Sequence, residues 1–207
     1  MTRLYLARHG HSRANLEGVL SHRVDDHPLT DRGRRQAVAL AGWLAERDVS
    51  AIFSSPLERA LETASLVSGR IGVTVLPREG LREVNVGALD GRGDEEAWTT
   101  YHDVVGRWRH GDLAARFPGG EDFGEAHDRL VGILQEAMSG QPSGRLAVIS
   151  HGEILTQVMA RLVTLPVGTE PGLGVAALIV VDHDEDGWRC LLWNSAEHLA
   201  SLPPEDR

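Results

Sequence analysis

Thr2-Arg3-Leu4-Tyr5-Leu6-Ala7-Arg8-His9-Gly10 opens the chain with a short apolar run that ends abruptly in a charged pair and a glycine. Arg3 to Ala7 has the length of a buried strand, and Gly10 puts a loop directly behind Arg8-His9. The pattern returns where Gly144 to Ile149 stops at Ser150-His151-Gly152. Between these, Val49 to Phe53 stops at Ser54-Ser55-Pro56, and Val73 to Leu76 stops at Pro77. Helical signals fill the intervals. Thr30 is placed to N-cap a helix reaching Arg47, with Ala37, Leu40, Ala41 and Leu44 at helical spacing. Pro56 can open a second helix over 57–69, and Glu153 to Leu165 forms a third, stopped by Pro166. Strands alternating with helices predict an α/β fold: a three-layer α/β/α sandwich on a mostly parallel central sheet. Val175 to Val181 and Trp188 to Trp193 flank Asp182-His183-Asp184-Glu185-Asp186-Gly187. That reads as a hairpin with an acidic turn and gives the sheet one antiparallel edge strand.

Residues about 84–142 differ in character, being rich in Gly and charge, with Trp98, Tyr101 and Trp108 among them. Asp94 to Arg109 and Glu121 to Met138 read as helices, separated by the loop Phe117-Pro118-Gly119-Gly120. The stretch is expected to be a small helical cap inserted in a single domain spanning 1–207. A chain of 207 residues is ordinary for one domain of roughly 150 residues with an insertion.

Composition narrows the chemistry. Net charge is −9, which argues against nucleic acid or an anionic membrane as partner. Cys190 is the only cysteine, so no intrachain disulfide forms and a reducing, cytoplasmic setting fits. No apolar run approaches the roughly 18 residues of a membrane span, and the amino-terminal strand meets Arg8 too soon for a signal peptide. All 21 basic residues are Arg. A P-loop lysine and Schiff-base or PLP chemistry are therefore excluded as usually built.

The chemically useful residues follow strand ends. Arg8 and His9 follow the first strand, Arg59 the second, Glu83 the third and His151 the fourth. Ligands of open α/β sheets bind at the carboxyl ends of the strands, so four strand ends deliver Arg, His and Glu to one rim. Two forked guanidiniums suit a phosphoryl group. A neutral imidazole anchored at one nitrogen is a nucleophile at the other. A carboxylate beside the leaving oxygen can donate a proton and then take one from water. The helix starting near Glu153 could turn backbone N–H groups toward an anion. Together the set reads as phosphoryl transfer through a phosphohistidine.

The chain resembles the histidine phosphatase superfamily, which includes the phosphoglycerate mutases. The resemblance rests on an ordered series: Arg8-His9-Gly10; Asn15; Pro28 to Gly33 with Gln36-Ala37; Ser54 to Ala60 with Thr63-Ala64; Glu83 with Gly87 and Gly91; Phe117 to Glu121; Ser150-His151-Gly152; and Asn194 with His198-Leu199. It implies His9 as nucleophile. It implies Arg8, Arg59 and His151 as holders of the phosphoryl oxygens, assisted by Asn15 and the Gly152 backbone. It implies Glu83 as general acid and base, with no metal or organic cofactor. The short chain and the Phe117 to Glu121 stretch resemble the phosphatase branch, so hydrolysis of a small phosphorylated metabolite is expected. His11 departs from the pattern, which has Glu or Gln there.

Other readings stay open at this point. One is phosphoglycerate mutase-type transfer; another is a non-catalytic phospholigand-binding module. His9-Gly10-His11 also has the H-x-H form of some metal-dependent hydrolases, although Arg8 and Arg59 would repel a cation. Glu79, one helical turn before Glu83, competes with it as the carboxylate. Specificity is expected from Arg107, Arg109, Arg116 and Glu121, and from His11, Arg13, Glu17 and Arg23 in the first loop. Analogy with such folds leaves a homodimer open.

Overall fold

The computed structural model describes residues 1–23, 27–140, 144–165 and 168–206. Strands β1 (Thr2–Arg8), β2 (Ala51–Ser54), β3 (Val75–Pro77), β4 (Arg145–Ser150), β5 (Leu178–Asp184) and β6 (Gly187–Ser195) form one sheet in the order β3-β2-β4-β1-β5-β6. β3, β2, β4 and β1 are mutually parallel. β5 runs against β1, and β6 pairs antiparallel on its far side. The antiparallel edge is thus a two-stranded hairpin. The strand that runs against the rest lies one place in from the rim.

Alternation along each strand builds two cores. Leu4 and Leu6 of β1, Phe53 of β2, Leu146 and Val148 of β4, and Ile179 and Val181 of β5 face one side. Tyr5, Ala7, Ile52, Ala147, Ile149, Leu178 and Val180 face the other. A parallel sheet buried on both faces needs such near-continuous apolar strands. Helices α2 (Asp31–Ala45) and α3 (Glu58–Ile71) cover the second face through Leu40, Leu44, Ala64 and Val67. Thr30 caps α2 as expected, its hydroxyl accepting from Gly33 N at 3.2 Å. Helices α5 (Phe123–Gly140) and α6 (Gly152–Leu162) cover the first face. α6 leaves helical geometry at Val163, before the expected Leu165; Pro166 lies outside the described residues.

The 84–142 stretch is knitted into that first core, its last two residues lying outside the described ones. Helix α4 (Glu95–Arg109) and α5 have the expected extents to within two residues. Trp108 is fully buried against Phe117 and Phe123, and its indole N–H donates to Ala115 O at 2.7 Å. At the hairpin, the turn is confined to Glu185-Asp186. Asp182 sits inside β5, 2% exposed, accepting two hydrogen bonds from Arg3 at 2.7 and 2.9 Å.

The loop behind β1 is clamped to the start of α2. A Cβ on Gly33 would lie 2.0 Å from His11 O, and one on Gly10 would lie 2.5 Å from Gly33 O. No rotamer relieves a backbone clash, so both positions require glycine. Gly33→Ala is expected to cost about 1–3 kcal/mol, as overpacking does. Urea denaturation of wild type and variant would measure it.

Candidate functional site

Strand register assembles the rim. Arg8 stands opposite Ser150, and Ser54 stands opposite Ile149 on one side and Pro77 on the other. His9 N donates to Ser150 O, and Ser55 N to Ile149 O. The four strand ends expected to carry chemistry therefore lie side by side.

His9 is 3% exposed, and its tautomer follows from its partners. Nδ1 lies 2.7 Å from Gly10 O, which can only accept, so Nδ1 carries the hydrogen. Nε2 accepts from Arg59 Nε at 3.1 Å, so its lone pair points at a guanidinium. Burial, with Arg59 and Arg8 close by, holds His9 well below the usual histidine value. Arg59 is itself fixed by Ser21: Nη1 donates to the hydroxyl at 3.2 Å and Nη2 to the carbonyl at 2.8 Å.

Arg8 donates from Nη1 to Leu173 O at 2.8 Å, while its Nε is buried without a partner. The guanidinium lies over Gly152, where a Cβ would come within 3.0 Å of Nη1. His151 stands against His9 with ring centroids 5.1 Å apart. Its Nε2 shares a 2.7 Å hydrogen bond with Ser55 Oγ, and its buried Nδ1 has no partner. An unpaired buried polar atom costs free energy, so Arg8 Nε marks a place for an acceptor oxygen, and His151 Nδ1 a place for a hydrogen-bonding partner set by the ring's tautomer.

Glu83 closes the site from the other side. Its Oε1 accepts from Val84 N at 2.9 Å and Ile154 N at 2.8 Å, and its Oε2 accepts from Glu153 N at 3.1 Å. The α6 N-terminus, expected to face a ligand anion, is thus occupied at those two amides by the chain's own carboxylate. Arg129 holds the segment that presents Glu83. Its five N–H donors reach Glu121 Oε2 and Oε1 and the carbonyls of Gly80, Arg82 and Glu83 at 2.6–3.0 Å. His22 Nδ1 adds a hydrogen bond to Glu83 O at 2.7 Å. Glu79 instead turns outward to pair with Arg82.

A cavity of about 180 Å³ opens onto Arg8, His9, Asn15, Arg59, Glu83 and Gly152. His151, fully buried beside His9, is not itself on this lining. Asn15 also closes a capping box with Ser12 at helix α1 (Arg13–Glu17). Of the residues expected to set specificity, only Arg109 lines the cavity. Arg107 pairs with Asp112, Arg116 with Asp122 and Glu125, and Arg13 with Glu17. Glu121 is the buried partner of Arg129, and Arg23 is an exposed side chain off the lining. His11 shares a 3.0 Å hydrogen bond between its Nδ1 and Thr30 Oγ1 and is not on the lining. Among the described residues no three His, Cys, Asp or Glu side chains group as metal ligands would. Sequence reasoning missed Ser21, Ser55, His22 and Arg129. Ser55 stands in the Ser54 to Ala60 series, but nothing along the chain marks its pairing with His151 or the roles of the other three, because each acts through a contact far along the chain.

Two predictions follow from these partners. Arg129→Met leaves Glu121 buried without its cation, with an expected loss of about 3–5 kcal/mol of stability. Calorimetric melting measures that loss, and a fall in kcat beyond it reports the displaced Glu83. The second concerns acid. Burial pushes His198 down to about 4, and His9 and His151 also lie well below 6.5. As pH falls through about 6.5 the unfolded chain takes up protons before the folded one, so stability is full above that value and is lost below it. His198 contributes about 3 kcal/mol of this loss between pH 6.5 and about 4. Denaturant titrations of wild type and His198→Gln across that range should show a shallower decline in the variant.

The model of the histidine phosphatase superfamily (branch 1) matches residues 4–196. The Escherichia coli O1:K1 protein named "Probable phosphoglycerate mutase GpmB" is 29% identical over 201 residues, covering 93% of this chain and 90% of that protein. The mycobacterial glucosyl-3-phosphoglycerate phosphatase superposes with a TM-score of 0.79 at 27% identity, covering 94% of this chain and 99% of the other. The α-ribazole phosphatase of Shigella flexneri gives 0.75 at 25% identity, covering 93% and 96%. No helix among the described residues is long and apolar enough to cross a membrane.

Proposed function

The chain belongs to the histidine phosphatase superfamily, and from that premise we propose that it hydrolyses phosphomonoesters of small metabolites through a phosphohistidine on His9. The carrying observation is the fixed tautomer: Gly10 O takes the Nδ1 hydrogen, leaving the Nε2 lone pair beside Arg59. In the first step Nε2 attacks phosphorus, the ester P–O bond breaks, and Glu83 gives its proton to the leaving oxygen. In the second, Glu83 takes a proton from water, the water oxygen attacks phosphorus, and the P–N bond breaks to release phosphate. Oε2 is the oxygen suited to exchanging that proton, since it accepts one backbone hydrogen bond where Oε1 accepts two. Arg8, Arg59 and His151 hold the transferring oxygens, with Asn15 and the Gly152 backbone assisting. Catalysis then rests on positioning and preorganised charge, with no metal or organic cofactor.

The curated relative named a mutase supports a second reading, return of the phosphoryl group to another hydroxyl. A phosphoglycerate brings a carboxylate, and the described cavity lining beyond Arg8 and Arg59 offers it one cation, Arg109, already paired with Glu153. Hydrolysis is therefore favoured. We assign this activity to one domain over 1–207 with 84–142 as its cap. We assign it to the cytoplasm, with a small phosphorylated metabolite as partner and no role for nucleic acid or membrane; a homodimer is compatible with it.

Phosphate release from p-nitrophenyl phosphate in EDTA tests the proposal. Wild type should turn over, and His9→Ala, with circular dichroism unchanged, should lose at least 1,000-fold in kcat. Equal activity in the variant overturns the nucleophile assignment, and abolition by EDTA overturns the metal-free mechanism. Isomerisation of 3-phosphoglycerate, with a bisphosphorylated primer and no phosphate release, would select the mutase.

A further inference from the structure

Resting on the phosphatase reading above, we propose that the outer half of the cavity selects the phosphate monoester of a neutral, hydroxyl-rich alcohol, a sugar or polyol. Glu153 is its specificity-determining residue.

Glu153 lies in the first turn of α6, where the mechanism uses only its backbone N–H. Its side chain nevertheless lines the cavity, 16% exposed, together with Trp98, Tyr101, Arg109 and Thr156. Oε1 accepts twice, from Gln157 Nε2 at 2.6 Å and Arg109 Nη2 at 3.4 Å. Oε2 accepts once, from the Tyr101 hydroxyl at 2.8 Å, so one lone pair remains on it. The Tyr101 proton is committed to that bond. Burial first, then the neighbouring Glu153 and Glu83, push the phenol well above its ordinary value, so Tyr101 keeps the proton. Toward a ligand the Tyr101 oxygen can then only accept. Two acceptors side by side call for donors on the ligand.

Charge points the same way. The dianionic phosphoryl group sits with Arg8 and Arg59, and Arg109 sits with Glu153. Among the described lining residues a carboxylate on the leaving group would find no unmatched cation and would meet Glu153, while an ammonium would meet Arg109. An uncharged leaving group carrying O–H donors avoids both. Trp98 is held by its indole N–H to Gly18 O at 2.9 Å and stands edge-on to Tyr101, with ring centroids 5.4 Å apart. These fixed rings offer an apolar surface to the C–H face of such a ligand.

The test compares kcat/KM for glucose 6-phosphate, ribose 5-phosphate, 3-phosphoglycerate and p-nitrophenyl phosphate in wild type, Glu153→Gln and Tyr101→Phe. Wild type should favour the better sugar phosphate over 3-phosphoglycerate by at least tenfold. Glu153→Gln should shrink that ratio at least tenfold, chiefly through KM, and Tyr101→Phe should move it the same way. Turnover of p-nitrophenyl phosphate with no preference for sugar phosphates, or a ratio unmoved in both variants, overturns this inference and leaves the phosphatase reading standing. No turnover of any ester overturns both.

Discussion

The hydrogen bond from Arg59 Nε to His9 Nε2 sets what the rest of the molecule has to supply. A guanidinium can only donate, so the imidazole must present a lone pair at Nε2 and keep its hydrogen at Nδ1. That hydrogen needs an acceptor, and the turn at Gly10 brings a carbonyl to it. The cation needs acceptors of its own at the end of a buried sheet, where an unsolvated charge is costly. Ser21 supplies two, reaching in from a loop far from Arg59 in the chain. Arg8 meets the same demand through Leu173 O, and the bare Cα of Gly152 lets its guanidinium lie flat over α6. A neutral imidazole surrounded by fixed positive charge is suited to a dianionic phosphoryl group: once Arg59 Nε releases the Nε2 lone pair, its N–H can turn to a phosphoryl oxygen while the cations stay in place.

The opposite wall depends on a second buried ion pair. Arg129 spends every donor on Glu121 and on three carbonyls of the segment that follows β3. This turns a short irregular stretch into a rigid mount for Glu83. The α6 N-terminus then receives the Glu83 carboxylate, a favourable placement for an anion at a helix start. The Glu83 carboxylate is thereby oriented by helix geometry rather than by a neighbouring cation. Glu153 takes its backbone position from the same helix turn and its side-chain position from Tyr101 and Gln157.

Much of this was legible in the residues. Apolar runs closed by Arg8-His9-Gly10 and Ser150-His151-Gly152 marked strands whose carboxyl ends carry polar chemistry. Strand and helix alternation marked the three layers, because a strand buried on both faces must be apolar along its length. The terminal hairpin was legible as well, but not that β5 would pair with β1 and leave β6 on the rim. Trp98, Tyr101 and Trp108 looked alike in sequence; packing sent Trp108 into the core and left the other two on the cavity. The basic residues of 107–116 looked equally fit to grip a substrate. Most are instead satisfied by acidic neighbours close along the chain, leaving Arg109 at the cavity.

The sequence by itself determined the fold class and the family, and it set Arg8, His9, Arg59, Glu83 and His151 behind strand ends, since these depend on residue type and on order along the chain. The tertiary structure alone decided which nitrogen of His9 carries its hydrogen and which anion fills the α6 N-terminus. It also decided which side chains beyond the phosphoryl site face the cavity. Those outcomes depend on acceptors and donors brought together from distant positions, such as Arg59 with Ser21, Arg129 with Glu83 and Tyr101 with Glu153. No local pattern encodes such a meeting, because its energetics are set by burial, and burial exists only once the layers have packed.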